Sequence, residues 1–154
     1  MRSSDKKDPA SMLMSPLSYP VGIWTNPEVS FIGRTRERAL ADGWAEVEVG
    51  EAIAPYSSTI RGRVQGCNIG LLKLVFEKPT GRILGVHILG EDACELIHYG
   101  TALAQSGKTV FEVLGTVFTA VTFHELFKNA GHIFCHISHF FSRVTWVREF
   151  TGAF

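Results

Sequence analysis

Two apolar runs joined by a short turn constrain this chain more than any other feature. Residues 71–76 read Leu-Leu-Lys-Leu-Val-Phe, and residues 83–89 read Ile-Leu-Gly-Val-His-Ile-Leu. Between them Glu77-Lys78-Pro79-Thr80-Gly81 carries a proline and a glycine at turn spacing, which predicts an antiparallel hairpin. What surrounds the hairpin follows the same grammar. Upstream, residues 29–32 form a short apolar run closed by Gly33, a predicted strand. Residues 35–41 predict a short helix, with Thr35 as N-cap and Gly43 as its stop. Residues 44–54 alternate: Ala45, Val47 and Val49 face one way and Glu46 and Glu48 the other, so a half-buried strand is expected. Gly66-Cys67-Asn68 marks a turn.

Downstream the period changes from two to about 3.6. Asp92 and Glu95 have capping-box spacing for a helix reaching Gln105, with Ala93, Leu96, Ile97 and Leu103 at core positions and Gly107 beyond its end. Thr109 with Glu112 repeats the spacing for a short helix through Leu114. Thr122 with Glu125 repeats it for a helix through about Ala130. Strands in one block and helices in the next predict an α+β fold, an antiparallel sheet of about four to five strands with helices packed on one side.

The chain has 154 residues, enough for one compact domain. Three segments are expected: a disordered leader over 1–19, the folded domain over 20–130, and an apolar, divergent tail over 131–154. Fifteen Lys and Arg balance fifteen Asp and Glu, so no net field draws in nucleic acid or an anionic membrane. No uncharged apolar run reaches the ~18 residues a membrane helix needs. Cys67, Cys94 and Cys135 are widely spaced, without the pairing that marks a zinc site or a redox dithiol. Packed, reduced thiols are expected, as in a cytoplasmic, reducing compartment.

Four strings, in order, carry a family resemblance. They are Pro20-Val21-Gly22-Ile23-Trp24-Thr25-Asn26-Pro27-Glu28-Val29-Ser30-Phe31-Ile32-Gly33; Gly70-Leu71-Leu72-Lys73-Leu74-Val75-Phe76; Thr80-Gly81-Arg82-Ile83-Leu84-Gly85-Val86-His87-Ile88-Leu89-Gly90; and Ala93-Cys94-Glu95-Leu96-Ile97. Together they resemble the last domain of the class I pyridine nucleotide-disulfide oxidoreductases, nearest the family's soluble transhydrogenase branch. The resemblance implies a homodimerisation domain that follows FAD-binding and NAD(P)-binding domains. It implies FAD and NAD(P) for the intact enzyme, with hydride passing between NADPH and NAD+ through FAD. This chain has no Gly-x-Gly, the turn that lets backbone amides approach a pyrophosphate. It is therefore expected to bind no cofactor alone, to be inactive alone, and to associate with itself or with chains that carry the nucleotide domains. Two other readings stay open: a domain-only structural or assembly subunit without redox activity, and a truncated product without function.

The family's disulfide reductases carry a His-Pro-Thr-x-x-Glu string whose His is the acid/base and whose Glu orients it. The aligned residues here are Ala120-Val121-Thr122-Phe123-His124-Glu125. Ala120 replaces the His and cannot move a proton, so no catalytic residue is expected. Glu125 is retained and is explained by helix capping after Thr122. His124 is expected to point elsewhere. His132, His136 and His139 share a helical spacing near Cys135, but without an adjacent carboxylate no metal site is expected. His87 and His98 read as ordinary packed or surface residues, and Thr80-Gly81-Arg82 as part of the hairpin turn.

Overall fold

A computed structural model describes residues 18–67 and 69–135. Its centre is a five-stranded sheet in the order β1-β2-β5-β4-β3, with every neighbouring pair antiparallel. The strands are β1 (Val21–Ile23), β2 (Glu28–Gly33), β3 (Val49–Pro55), β4 (Leu71–Glu77) and β5 (Ile83–Gly90). The helices are α1 (Arg36–Ala41), α2 (Ile60–Gln65), α3 (Ala93–Gln105), α4 (Val110–Gly115) and α5 (residues 125–135). The expected hairpin is β4–β5, and its partners insert β5 between β2 and β4.

Strand alternation divides the apolar residues between two layers. From β4, Leu72, Leu74 and Phe76 point into the main core, with Val86 and Ile88 of β5 and Ala52 and Ala54 of β3. Leu96, Ile97 and Leu103 of α3, Val110 and Val113 of α4, and Leu126, Phe127 and Phe134 of α5 close that core. Val75 points the other way and joins Val49, Leu84 and Ala39 of α1 in a small second cluster, flanked by Leu40 and Trp44. The helical layer thus covers one face of the sheet, and α1 caps a corner of the other.

Four local departures from the sequence pattern have physical causes. Residues 44–48 do not extend the strand: Glu46–Glu48 is a 3₁₀ turn. There the Glu48 carboxylate reaches back to accept from the Ala45 amide at 3.1 Å, which leaves Val47 exposed and starts the strand at Val49. Second, α2 (Ile60–Gln65) falls just before the expected turn at Gly66-Cys67-Asn68, where the sequence pattern predicts no element. Its N-cap Thr59 accepts from the Gly62 amide at 2.9 Å, and Gly62 is required because an added Cβ would stand 2.1 Å from the Tyr56 carbonyl oxygen. Third, Asp92 does not cap α3; it adopts a left-handed backbone (φ 57°) and pairs with Arg61 at 3.2 Å. Glu28 supplies the missing acceptor, taking the Cys94 amide at 2.9 Å. The capping box at Thr109 and Glu112, in contrast, forms as expected.

The fourth departure is the length of α5, which runs through Gly131 to residue 135. Phe134 is buried in the core, edge-on to Phe76 at 4.6 Å and to Phe111 at 5.4 Å between ring centroids. The change of character at residue 131 is therefore one of composition within a continuous helix. The remainder of the expected leader and tail lies outside the described residues, although Ser18 is held through its carbonyl by Gln105 Nε2 at 2.8 Å. Among the described residues no helix is long and apolar enough to cross a membrane.

Candidate functional site

The segment between α4 and α5 carries the string in which a catalytic histidine would stand. Ala120 is exposed there and offers only a methyl group. Val121 has φ 59°, a left-handed conformation that crowds a β-branched side chain. Thr122 Oγ1 donates to the Thr119 carbonyl at 3.0 Å, tightening the turn. Phe123 then anchors the segment, fully buried, with its ring 4.8 Å from Tyr56 and beneath the Arg61 guanidinium at 4.5 Å.

Glu125 joins this turn to a distant helix. One carboxylate oxygen accepts from the Val121 amide at 3.1 Å, the other from the Ile60 amide at 2.9 Å. Ile60 is the first residue of α2, 65 positions away in sequence, so Glu125 holds the N-terminus of that helix as well as the turn that leads into its own. A carboxylate at a helix N-terminus is favoured both by the unpaired amide and by the helix dipole. In this chain the Val121 N–H and the Ile60 N–H take the oxygens that, in the resembled string, orient a histidine.

His124 is packed among aromatic side chains. Its ring packs within 5.8 Å of Tyr99 and Phe118 and 6.2 Å of Phe127, between centroids. Burial among these rings pulls its pKa below the ordinary imidazole value. His87 is also packed, stacked on Phe31 and hydrogen bonded through Nε2 to the Arg34 carbonyl at 3.1 Å, and burial again lowers its pKa. His132 is exposed on α5, while His136 and His139 lie outside the described residues. The Cys67 and Cys94 thiols are free and are pushed up by burial, Cys67 also by donating to Glu91 at 3.1 Å, so neither is an activated thiolate. Among the described residues no cluster of three or more His, Cys, Asp or Glu could hold a metal.

A nucleotide pyrophosphate needs free amides at a helix N-terminus. Here one amide at each of four helix starts already holds an oxygen of the chain itself. Thr35 Oγ1 accepts from Arg38 N in α1, Glu125 from Ile60 N in α2, Glu28 from Cys94 N in α3, and Thr109 Oγ1 from Glu112 N in α4. An open cleft of about 640 Å³ lies beside the end of α2, lined among others by Thr25, Pro27, Glu28, Cys67, Glu91 and Asp92. Its carboxylates would repel a phosphate rather than receive one. The described residues therefore do not fit an FAD or NAD(P) pyrophosphate.

Residues 19–131 match the family described as pyridine nucleotide-disulphide oxidoreductase, dimerisation domain. Among curated relatives, the soluble pyridine nucleotide transhydrogenase of Mycobacterium bovis (strain BCG / Pasteur 1173P2) is 40% identical over 112 residues, covering 73% of this chain and 23% of that protein. The protein of the same name from Escherichia coli O6:K15:H31 is 37% identical over 115 residues, covering 73% and 24%. The one from Pectobacterium carotovorum subsp. carotovorum is 36% identical over 115 residues, covering 73% and 75%. The chain thus spans about a quarter of the length of the first two. Among solved structures, LpdA from Mycobacterium tuberculosis aligns with a TM-score of 0.69 at 19% identity, covering 77% of this chain and 25% of that one. The HOCl-induced flavoprotein disulfide reductase RclA from Escherichia coli aligns at 0.68 with 23% identity, covering 75% and 26%. These two likenesses concern the fold.

Proposed function

The chain belongs to the dimerisation-domain family of the pyridine nucleotide-disulphide oxidoreductases, and we propose that it acts as the self-associating part of a pyridine nucleotide transhydrogenase. In that reading it supplies an interface, and the nucleotide sites are supplied by FAD-binding and NAD(P)-binding domains. FAD, when bound by those domains, carries hydride between NADPH and NAD+. The residues of this chain then exclude water and hold the neighbouring subunit in place; they move no proton.

The observation that carries the reading is the Ala120–Glu125 turn. A disulfide reductase needs a group that donates and accepts a proton near the thiols. Here that position is a methyl group, and the Glu125 carboxylate is engaged by two backbone amides. Hydride exchange between nicotinamides passes through the flavin and needs no such group. The names of the curated relatives support the same choice.

The test is a chimera in which residues 19–131 replace the matched region of the Mycobacterium bovis relative. The expected product exchanges hydride between NADPH and NAD+ and reduces neither lipoamide nor glutathione disulfide at a comparable rate. Disulfide reduction at the exchange rate would overturn the reading and return His124 to candidacy as a base.

A further inference from the structure

Among the described residues, two that are not glycine hold a left-handed backbone: Asp92 at φ 57° and Val121 at φ 59°. Backbone of that kind persists where its surroundings over-determine it, and it gathers at functional sites. One side chain links the two positions. Arg61 of α2 reaches the Asp92 carboxylate through Nη2 at 3.2 Å. Its Cζ lies over the ring of Phe123, two residues past Val121, at 4.5 Å from the centroid. Its Nε donates to Gln65 Oε1 at 3.2 Å, one turn along the same helix.

Neighbouring residues extend that link. The Ser58 carbonyl accepts from Asn129 Nδ2 at 3.2 Å, the Ile60 amide donates to Glu125, and Arg61 covers Phe123. The start of α2 is therefore attached at three points to the turn and to α5. From the other direction, the Tyr56 hydroxyl donates to the Glu91 carbonyl at 2.6 Å, while its ring meets that of Phe123 at 4.8 Å. The Glu91–Asp92 corner thus holds Tyr56 and Arg61, and both touch the buried Phe123 ring.

The Arg61 and Asp92 side chains are 34% and 44% exposed, and an ion pair so open to water adds little to stability. Its geometric effect is larger, because the aspartate fixes a planar guanidinium over an aromatic face. We propose that Arg61 is a positioning residue for hydride transfer: held by Asp92, it keeps Phe123 seated and so sets where Ala120 and Val121 stand. The inference rests on the proposed transhydrogenase role. In that role the turn contributes a methyl group and its shape, so its part in the reaction is to exclude water, and exclusion depends on where the turn is held.

The experiment uses the whole chain and, for kinetics, the chimera with the Mycobacterium bovis relative. Amide hydrogen exchange compares Val121, in the turn, with Ile88, in the sheet core. Arg61→Lys keeps the charge and loses the planar face. It should speed amide exchange at Val121 by roughly tenfold and leave Ile88 unchanged, as a local opening does. Asp92→Asn should act at Val121 in the same direction and add nothing in the Arg61→Lys background, because both substitutions act through one guanidinium. In the chimera, Arg61→Lys should lower kcat for hydride transfer from NADPH to NAD+ by about two- to tenfold, with KM for both nucleotides unchanged. Equal acceleration at Val121 and Ile88 would mark a general loss of stability and overturn the inference. Additive effects of the two substitutions, or an unchanged kcat, would overturn it as well. Should Arg61→Lys fail to fold, Asp92→Asn carries the same comparison of Val121 with Ile88 and of kcat with KM. A wild-type chimera without hydride transfer would overturn the proposed function, and the Val121 amide would still decide whether Arg61 seats the turn.

Discussion

Val121 is the residue at which sequence and backbone disagree most. Its φ of 59° costs an L residue roughly 1–2 kcal/mol, more for a branched side chain, and glycine would escape that cost. Val121→Gly should therefore stabilise the fold by about 1 kcal/mol after the entropy glycine loses, seen as a rise in the urea midpoint. Val121→Pro should do the reverse, by about 3 kcal/mol, because proline fixes φ near −65° and removes the N–H that donates to Glu125. Restoring the family's His-Pro pair at 120 and 121 consequently requires the turn itself to change. His87 gives a pH signature at the same scale. Burial lowers its folded pKa, so between its folded pKa and the ordinary value of about 6.5 the unfolded chain binds more protons than the folded one. Its contribution is present above about pH 6.5 and is lost as pH falls toward the folded pKa. His87→Gln should flatten the loss of urea midpoint between about pH 7.5 and 5.5, relative to wild type.

At the scale of elements, what could be read in advance was what local chemistry determines. The β4–β5 hairpin announces itself through two apolar runs and a Pro-Gly turn, and α4 through a capping box that forms with both reciprocal bonds. β1 has only three residues, all exposed, and offers no alternation to detect. α2 hides because Gly62 and two arginines occupy its six residues, and its need for glycine arises from the Tyr56 carbonyl packed against it. The site divides the same way. That Ala120 stands where the resembled string has its histidine is what the family resemblance implies, whereas the partners of Glu125 were not legible, because one of them is 65 residues away. α5 supplies a test of where the folded unit stops. Phe134→Ala should destabilise the chain by about 3–5 kcal/mol, the usual cost of emptying a buried aromatic site, since its ring fills the space between Phe76 and Phe111. A loss under about 1 kcal/mol in a urea titration would place Phe134 outside the cooperative core.

At the scale of the described residues, an antiparallel sheet carries a helical layer on one face, and an oxygen of the chain caps one amide at the start of each of four helices. Among the described residues, Ala120 offers a methyl group where the resembled string has its histidine, and the half-buried Cys67 and Cys94 thiols have raised pKa values. Apolar surface is nevertheless left at α2 and the Val121 turn, and surface of that kind is what a second subunit buries. Self-association without flavin is thus the central claim. The direct measurement is sedimentation of the whole chain at micromolar concentration in the presence of added FAD, followed both by protein absorbance and by the visible absorbance of flavin. The expected result is a dimer boundary that leaves the flavin behind. A monomer, or a boundary that carries the flavin with it, would contradict the claim.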